Sequence, residues 1–172
     1  MKKILVTAAL ALALLLCGAA FSEEALVGMP NPWSDVETAQ AAADGAGVGY
    51  FMLPEENLQT SGGQVNWFGF RCMMGLAQAD GAIGAAELTV RKGLKQDGED
   101  VSGDYSAYAF QWTQEADGWQ VSCFGNEEGR TMKAIWVSDN FSYCILVRGQ
   151  GDYYDTYGLD AEAIGALVAA IQ

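Results

Sequence analysis

An alternation of apolar and polar residues with a period of two runs through most of the chain after residue 64, and it limits the fold more than any other feature. Side chains that recur at every second residue share one face of a β-strand, so each such stretch predicts a half-buried strand. The pattern is clear at Ala86, Leu88 and Val90, which alternate with polar residues. It predicts strands at 65–73, 86–92, 105–113, 119–124, 132–138 and 141–147.

The connections between these strands are short. Asp117-Gly118 separates two of the strands, and a glycine here tolerates the positive φ that a two-residue hairpin turn requires. Ser138-Asp139-Asn140 has the composition of a second tight reversal. Because parallel strands need long crossovers, these short connections predict an antiparallel meander.

A helix and a further strand are predicted before the meander. Ser34 and Glu37 match a capping box, which predicts an alanine-rich helix from Ser34 to about Asp44 that the following glycines end. Residues 48–53 read as a first strand, closed by Pro54.

The chain ends with a helical pattern. Asp160 is a suitable N-cap, and the following apolar residues recur at helical spacing, at positions 164, 167, 168 and 171. The predicted fold is therefore α+β: a curved antiparallel β-meander of about seven strands, with an N-terminal helix and a C-terminal amphipathic helix packed on the sheet.

The first 22 residues have the pattern of a signal peptide. Lys2 and Lys3 precede an uncharged apolar run of 13 residues, 4–16, and Ala20-Phe21-Ser22 is a suitable cleavage site. We therefore expect a signal peptide at 1–22, a single α+β domain at 23–172 without a membrane span, and a secreted or cell-surface location. Cys17 offers the alternative of a lipid anchor, although Leu16 is larger than the residue that usually precedes a lipidated cysteine.

The charged composition excludes several kinds of function. The chain has no histidine, which excludes Ser-His-Asp and Cys-His catalysis and histidine metal ligands. Without the leader, seven basic and 22 acidic residues remain, a net charge of −15. Nucleic acid is therefore not expected as a partner, because binding phosphates needs clustered Lys and Arg.

Three cysteines follow the leader, at Cys72, Cys123 and Cys144. Each lies in an apolar, strand-like stretch. Two interpretations stay open: three buried free thiols, or one disulfide and one free thiol in an oxidising compartment.

Two acidic segments are candidates for binding. Residues 97–104 place four carboxylates in a loop with glycines, which suits calcium, but their spacing fails the helix-loop-helix calcium pattern and favours a solvated loop. Residues 152–157 combine two aspartates with tyrosines, and a loop before the last helix is favoured over a ligand site. The five tryptophans are expected to be packing residues for the most part.

Several short stretches resemble a bacterial family of exported domains of unknown function, found as small secreted proteins or lipoproteins. They are Pro30-Asn31-Pro32-Trp33, Gly47-Val48-Gly49-Tyr50, 86–92, 100–105, Ala134-Ile135-Trp136 and Phe141-Ser142-Tyr143. Related domains lie outside the membrane on anti-sigma-like proteins, so the resemblance implies sensing or binding. It provides no catalytic residues.

Three functions are consistent with these observations. The first is a non-enzymatic exported module that binds a surface ligand or a protein, and an exposed apolar or aromatic patch would favour it. The second is a histidine-free hydrolase with two carboxylates facing each other in a cleft, and the third is a calcium-stabilised surface module. The sequence assigns no catalytic residue, no cofactor-binding residue and no cofactor, and it leaves a metal site open.

Overall fold

A nine-stranded antiparallel sheet with two helices forms the described part of the chain. The computed structural model describes residues 31–172, and the predicted signal peptide with Cys17 lies outside them. The strands are β1 Ser34–Val36, β2 Gln59–Thr60, β3 Gly63–Met73, β4 Leu76–Ile83, β5 Ala86–Leu94, β6 Phe110–Ala116, β7 Trp119–Gly125, β8 Lys133–Val137 and β9 Phe141–Arg148. The helices are α1 Ala39–Ala46 and α2 Ala161–Ala170, and neither is long and apolar enough to cross a membrane.

The strands lie in the order β1-β3-β4-β5-β9-β8-β7-β6, with β2 also paired to β3. Strands β3 to β5 pair in sequence order as antiparallel neighbours, and so do strands β6 to β9, as predicted. The prediction of one continuous meander is wrong, however, because β5 pairs with β9 and the chain crosses to the far edge of the sheet before β6.

One face of the sheet, the inner face, carries the hydrophobic core and both helices. Leu88, Val90, Ile145 and Val147 lie side by side on β5 and β9, and all are buried. Residues of both helices join the same cluster: Ala42, Ala43, Ala46, Ala163, Ile164, Leu167 and Val168. The C-terminal helix is therefore confirmed, and Asp160 caps it by accepting from the Ala163 N–H at 2.9 Å.

The first helix begins later than predicted. Ser34 lies in β1, paired with Cys72, so it cannot cap the helix. Thr38 is the N-cap, and its Oγ1 accepts from the Ala41 N–H at 3.1 Å. Gly47, with φ of 72°, ends the helix, in agreement with the prediction. The capping-box pattern failed because pairing with β3 extends residues 34–36.

One strand prediction before residue 85 is wrong and one strand was missed, and the sheet has nine strands where about seven were expected. Residues 48–53 form no strand, although Val48 and Phe51 are buried and Met52 exchanges backbone hydrogen bonds with Gln172. Strand β4 lies in the middle of the sheet and gave no signal, because its Ala, Gly and Asp residues have low strand propensity. Small side chains are used here because the strand is covered on both faces.

The three described cysteines are buried free thiols. Strands pack about 4.8 Å apart, which puts Cys72 about 14 Å from Cys144 and Cys123 about 10 Å from Cys144 across the sheet. Cys144 also points to the face opposite the other two. A disulfide requires Cα atoms within about 7 Å, so the disulfide alternative is wrong for this fold.

Candidate functional site

The face of the sheet opposite the helices, the outer face, carries a row of four cations. Arg71 on β3, Arg91 on β5, Arg148 on β9 and Lys133 on β8 all point to this face, by the register of their strands. We call these four residues the cation row. Their clustering is unexpected in a chain that has so few basic residues.

Polar side chains of β4 and β5 connect the first two members of the cation row. Arg71 Nε lies 3.3 Å from Asp80 Oδ2, and Gln78 Nε2 donates to Asp80 Oδ1 at 2.7 Å. Arg91 Nε donates in turn to Gln78 Oε1 at 2.7 Å. These contacts fix both guanidinium groups against the sheet.

The Trp33 ring lies against both arginines. Its centroid is 5.0 Å from Arg71 Cζ and 5.5 Å from Arg91 Cζ. Guanidinium groups at this distance are attracted to the face of an indole. Trp33 precedes the first strand, so these two contacts attach the start of the described chain to the outer face.

The acidic segment predicted as a solvated loop is bound to the cation row. Arg91 Nη1 donates to the carbonyl oxygens of Val101 and Ser102, the former at 3.3 Å. Lys133 Nζ lies 3.2 Å from Asp100 Oδ2. Residues 98–104 form a loop between strands, as the sequence favoured, and Glu99 in it is exposed; the carboxylates of Asp100 and Asp104, however, pair with cations of the sheet.

Asp104 is the most tightly held carboxylate of this loop. Its Oδ2 lies 2.8 Å from Arg148 Nη2 and also accepts from the Tyr108 hydroxyl. Its Oδ1 accepts from Ser106 Oγ at 2.6 Å. The Asp104 side chain is only 11% exposed, so the ion pair with Arg148 is largely shielded from water.

These contacts set the ionisation of the loop. Partial burial opposes the charge on Asp104, but hydrogen bonds from Ser106, Tyr108 and Arg148 outweigh it and hold its pKa well below the usual range. The pKa of Asp100 is lowered in the same way, since hydrogen bonds from Ser102 and Lys133 outweigh burial. Burial and the hydrogen bond to Asp104 raise the pKa of Tyr108 to about 12.

This electrostatic arrangement bears on the hydrolase and calcium hypotheses. A general acid needs a carboxyl that keeps its proton near the working pH, and both Asp100 and Asp104 are ionised and paired with cations. The same cations occupy the oxygens that calcium would need. Within residues 31–172, no group of three or more acidic or cysteine side chains is placed to hold a metal ion.

A groove of about 410 Å³, the outer groove, lies between this loop, Trp33 and the β3–β4 turn. Arg91 and Val101 line it, and the side chains of Met74 and Tyr105 project at its sides, 93% and 98% exposed. Water therefore surrounds two large apolar side chains beside a fixed cation and an indole. Such exposed apolar groups next to a concavity are typical of binding sites.

A wider depression of about 630 Å³ is lined by Gly47–Gly49 together with residues of the β8–β9 turn. Near it, Lys92 is buried on the inner face, donates to the Tyr50 carbonyl and lies 4.3 Å from the Phe141 ring centroid. Burial lowers the pKa of Lys92. These contacts use Lys92 to close the core, and Lys92 does not line the depression.

Among the remaining sequence candidates, the segment 152–157 contributes Tyr153, Thr156 and Tyr157 to a depression of about 370 Å³. Residues 152–157 form the loop between β9 and α2, with Tyr153 exposed. Trp33 alone of the five tryptophans lies on the outer face, and the other four lie on the inner face: Trp67, Trp112, Trp119 and Trp136. Burial raises the pKa of the Cys123 thiol to about 11 and that of Cys144 to about 12, which leaves both unreactive.

Sequence reasoning missed the cation row and the role of Trp33. The alternation of apolar and polar residues in β5 did predict that Arg91 lies with Thr89 on a solvent-exposed face. Which strands lie beside β5 was not predictable from turn signals, because β9 follows it in space but not in sequence. Without the order of the strands in the sheet, nothing in the sequence indicates that the four cations and the acidic loop lie close together.

Comparisons of the chain with protein-family models, curated proteins and solved structures found no match.

Proposed function

We propose that this chain is an exported, non-enzymatic binding module that takes its ligand or protein partner in the outer groove. The observation that carries the proposal is the pair of almost fully exposed apolar side chains, Met74 and Tyr105, beside a groove whose floor holds Trp33 and Arg91. Exposing these groups costs free energy in water, which a partner that covers them recovers.

The lining indicates the kind of ligand. Met74 and Tyr105 supply adaptable apolar contact, while the guanidinium of Arg91 supplies a fixed donor. The carboxylates of Asp97 and Asp100 at the rim disfavour anionic groups there. A peptide-like ligand with an apolar side chain and a carbonyl acceptor fits this chemistry.

Export and the surface location remain part of the proposal. They rest on the signal-peptide pattern of residues 1–22, and the resemblance to exported bacterial domains agrees with a binding role. The location is tested by the mass of the mature N-terminus, since a chain that starts at Glu23 excludes a lipid on Cys17.

The groove is tested with a panel of short peptides, followed by tryptophan fluorescence and calorimetry. We expect a peptide that binds wild type to bind Tyr105→Ser at least about tenfold more weakly, because loss of a central aromatic contact costs about 1.4 kcal/mol or more. Tyr153→Ser, at a second exposed tyrosine that does not line the outer groove, is the control and keeps wild-type affinity.

The same preparations test the hydrolase alternative on chromogenic glycosides. Turnover that Asp100→Asn or Asp104→Asn abolishes would replace the binding proposal with an enzymatic one. Equal loss of peptide affinity in Tyr105→Ser and Tyr153→Ser would instead remove the groove as the binding site.

A further inference from the structure

The β3–β4 turn, which forms one side of the outer groove, is fixed to its neighbours. The N–H of Gly75 donates to the Ala46 carbonyl of α1 at 2.9 Å, and its carbonyl accepts from the Leu94 N–H of β5 at 3.1 Å. Met74 precedes Gly75 in this turn, and its side chain is almost fully exposed. The turn therefore presents Met74 to water from a fixed backbone, so less conformational entropy is lost when a ligand covers it.

The acidic loop that forms the other side of the groove is fixed as well. Tyr105 lies between Asp104, which is paired with Arg148, and Ser106, whose N–H and hydroxyl both donate to Asp104 Oδ1. The Tyr105 side chain itself is almost fully exposed. Its backbone position is thus set by its neighbours, while its ring is open to a ligand. The face of such a ring attracts apolar groups and cations alike.

Asp97 supplies the groove with a carboxylate that no described residue binds. It is exposed, and within residues 31–172 its side chain makes no hydrogen bond and no ion pair. The carboxylate lies close to the turn, since a Cβ at Gly75 would be only 2.7 Å from Asp97 Oδ2. Asp100, the other carboxylate of the lining, pairs with Lys133 at 3.2 Å and accepts from the Ser102 N–H at 2.9 Å. Asp97 is therefore the carboxylate of the groove that is left for a ligand.

The cation of the lining is already used by the fold. Arg91 Nη1 donates to two carbonyls of the acidic loop, and the guanidinium lies against the Trp33 ring. A Cβ at Gly103 would be 2.7 Å from Arg91 Nη1, which places this cation beside the loop, whereas Asp97 lies beside the turn. The groove is thus negative at the turn and positive at the loop.

We propose that the ligand of the outer groove is a basic peptide segment, in which an arginine or lysine pairs with Asp97 and an adjacent apolar residue covers Met74 and Tyr105. The inference rests on the proposed function and adds the charge of the ligand to it. Charge complementarity supports it: the lining has two carboxylates and one guanidinium, and the chain has a net charge of −13, or −15 without the predicted leader. Such a surface attracts cationic partners and repels acidic ones.

Asp97 differs from other exposed carboxylates of the chain in its surroundings. It lines the same groove as Met74 and Tyr105, whereas Glu99, two residues further along, is exposed but does not line the groove. A lysine or arginine that pairs with Asp97 can lay the aliphatic part of its side chain against the apolar groups. An ion pair on an open surface strengthens binding by about fivefold or less, so we expect the charge and the apolar contacts to act together.

Calorimetry with two peptides tests the charge of the ligand. Both are nine residues long, blocked at both ends, and carry Leu-X-Leu between glycines and serines, with X either arginine or its uncharged analogue citrulline. We expect wild type to bind the arginine peptide about threefold to fivefold more tightly at low salt. The difference should shrink in about 0.5 M salt, because salt screens the ion pair.

Two charge reversals test the position of the contact. Asp97→Lys reverses the charge inside the groove, and Glu99→Lys makes the same change in net charge outside the lining. We expect Asp97→Lys to weaken binding of the arginine peptide at least about tenfold, because attraction becomes repulsion, and Glu99→Lys to weaken it about twofold or less. Neither side chain supports the fold, so both variants keep the Tm of wild type.

The outcomes separate this inference from the proposed function. Equal affinity of wild type for the two peptides overturns the inference, but if Tyr105→Ser still weakens both, the groove remains the binding site. Equal losses in Asp97→Lys and Glu99→Lys also overturn the inference, because the peptide then responds to the charge of the whole chain. If neither peptide binds at about 1 mM, the basic peptide is rejected together with the peptide ligand of the proposed function.

Discussion

The ion pair between Asp104 and Arg148 shows how single residues decide the state of the acidic loop. Partial burial alone would raise the pKa of Asp104, but its donors reverse the sign of the shift. Arg148 responds in the same way: burial opposes its charge, and hydrogen bonds with Tyr108 and Asp104 raise its pKa. Each group keeps its charge because the other is present, so the pair acts as one unit that attaches the loop to β9.

Replacing Asp104 therefore changes how stability depends on pH. An ordinary aspartate titrates near pH 3.9 in the unfolded chain, and the folded pKa is lower. The stabilisation is thus complete above about pH 5 and is lost as the pH falls below 4. We expect Asp104→Asn to lower the free energy of unfolding by about 2 kcal/mol at pH 6, a charged hydrogen-bond effect, with a smaller difference at pH 3.

Urea denaturation at both pH values measures this difference. Glu99→Gln removes a carboxylate from the same loop that is exposed, and it serves as the control with little effect at either pH. A deficit of Asp104→Asn that is as large at pH 3 as at pH 6 would show that the carboxylate charge is not what holds the loop.

At the scale of the element, local patterns predicted the strands in which apolar and polar residues alternate. The same patterns gave wrong predictions where tertiary contacts decide the conformation. Strand β5 was predicted because one of its faces is polar, and β7, β8 and β9 were predicted from apolar, strand-like stretches. Strand β4 was missed, since residues such as Ala79 and Gly81 give no period when both faces are covered. In the predicted strand 105–113, residues 105–109 belong instead to the loop attached to the cation row, and β6 begins at Phe110.

The start of α1 gives an element-scale prediction. Thr38 accepts a hydrogen bond from the first turn, whereas Ser34 lies in β1. Thr38→Ala should therefore destabilise the protein by about 1 kcal/mol through loss of the cap. Ser34→Ala, at the position that sequence alone selects, should change stability by less than about 0.5 kcal/mol, as other exposed substitutions do. Thermal denaturation of both variants decides between the two caps, and a larger loss for Ser34→Ala would contradict the observed boundary.

At the scale of the whole molecule, the order of strands creates the candidate site. The sequence predicted an α+β fold with a helix at each end, which the structure confirms. It did not predict that β5 pairs with β9, a contact between distant parts of the chain. That contact sets Arg91 beside Cys144 and brings Lys133 and Arg148 within reach of residues 98–104. A site assembled from four strands in non-sequential order has no local signature, so only its acidic loop was visible as a candidate.

The same order of strands keeps the cysteines apart, and this leads to a prediction for the folded protein. Cys72, Cys123 and Cys144 are buried in three different strands, so all three should resist iodoacetamide in the native state and react after denaturation. Peptide mapping assigns each site, and Glu115→Cys provides an exposed thiol that reacts without denaturant. A native disulfide would contribute about 2–4 kcal/mol, and its reduction would lower the Tm by several degrees. The sheet separates the thiols by more than a disulfide can span, so dithiothreitol should leave the Tm unchanged. A drop in Tm of several degrees would mean that two of these strands lie closer together than the observed order allows.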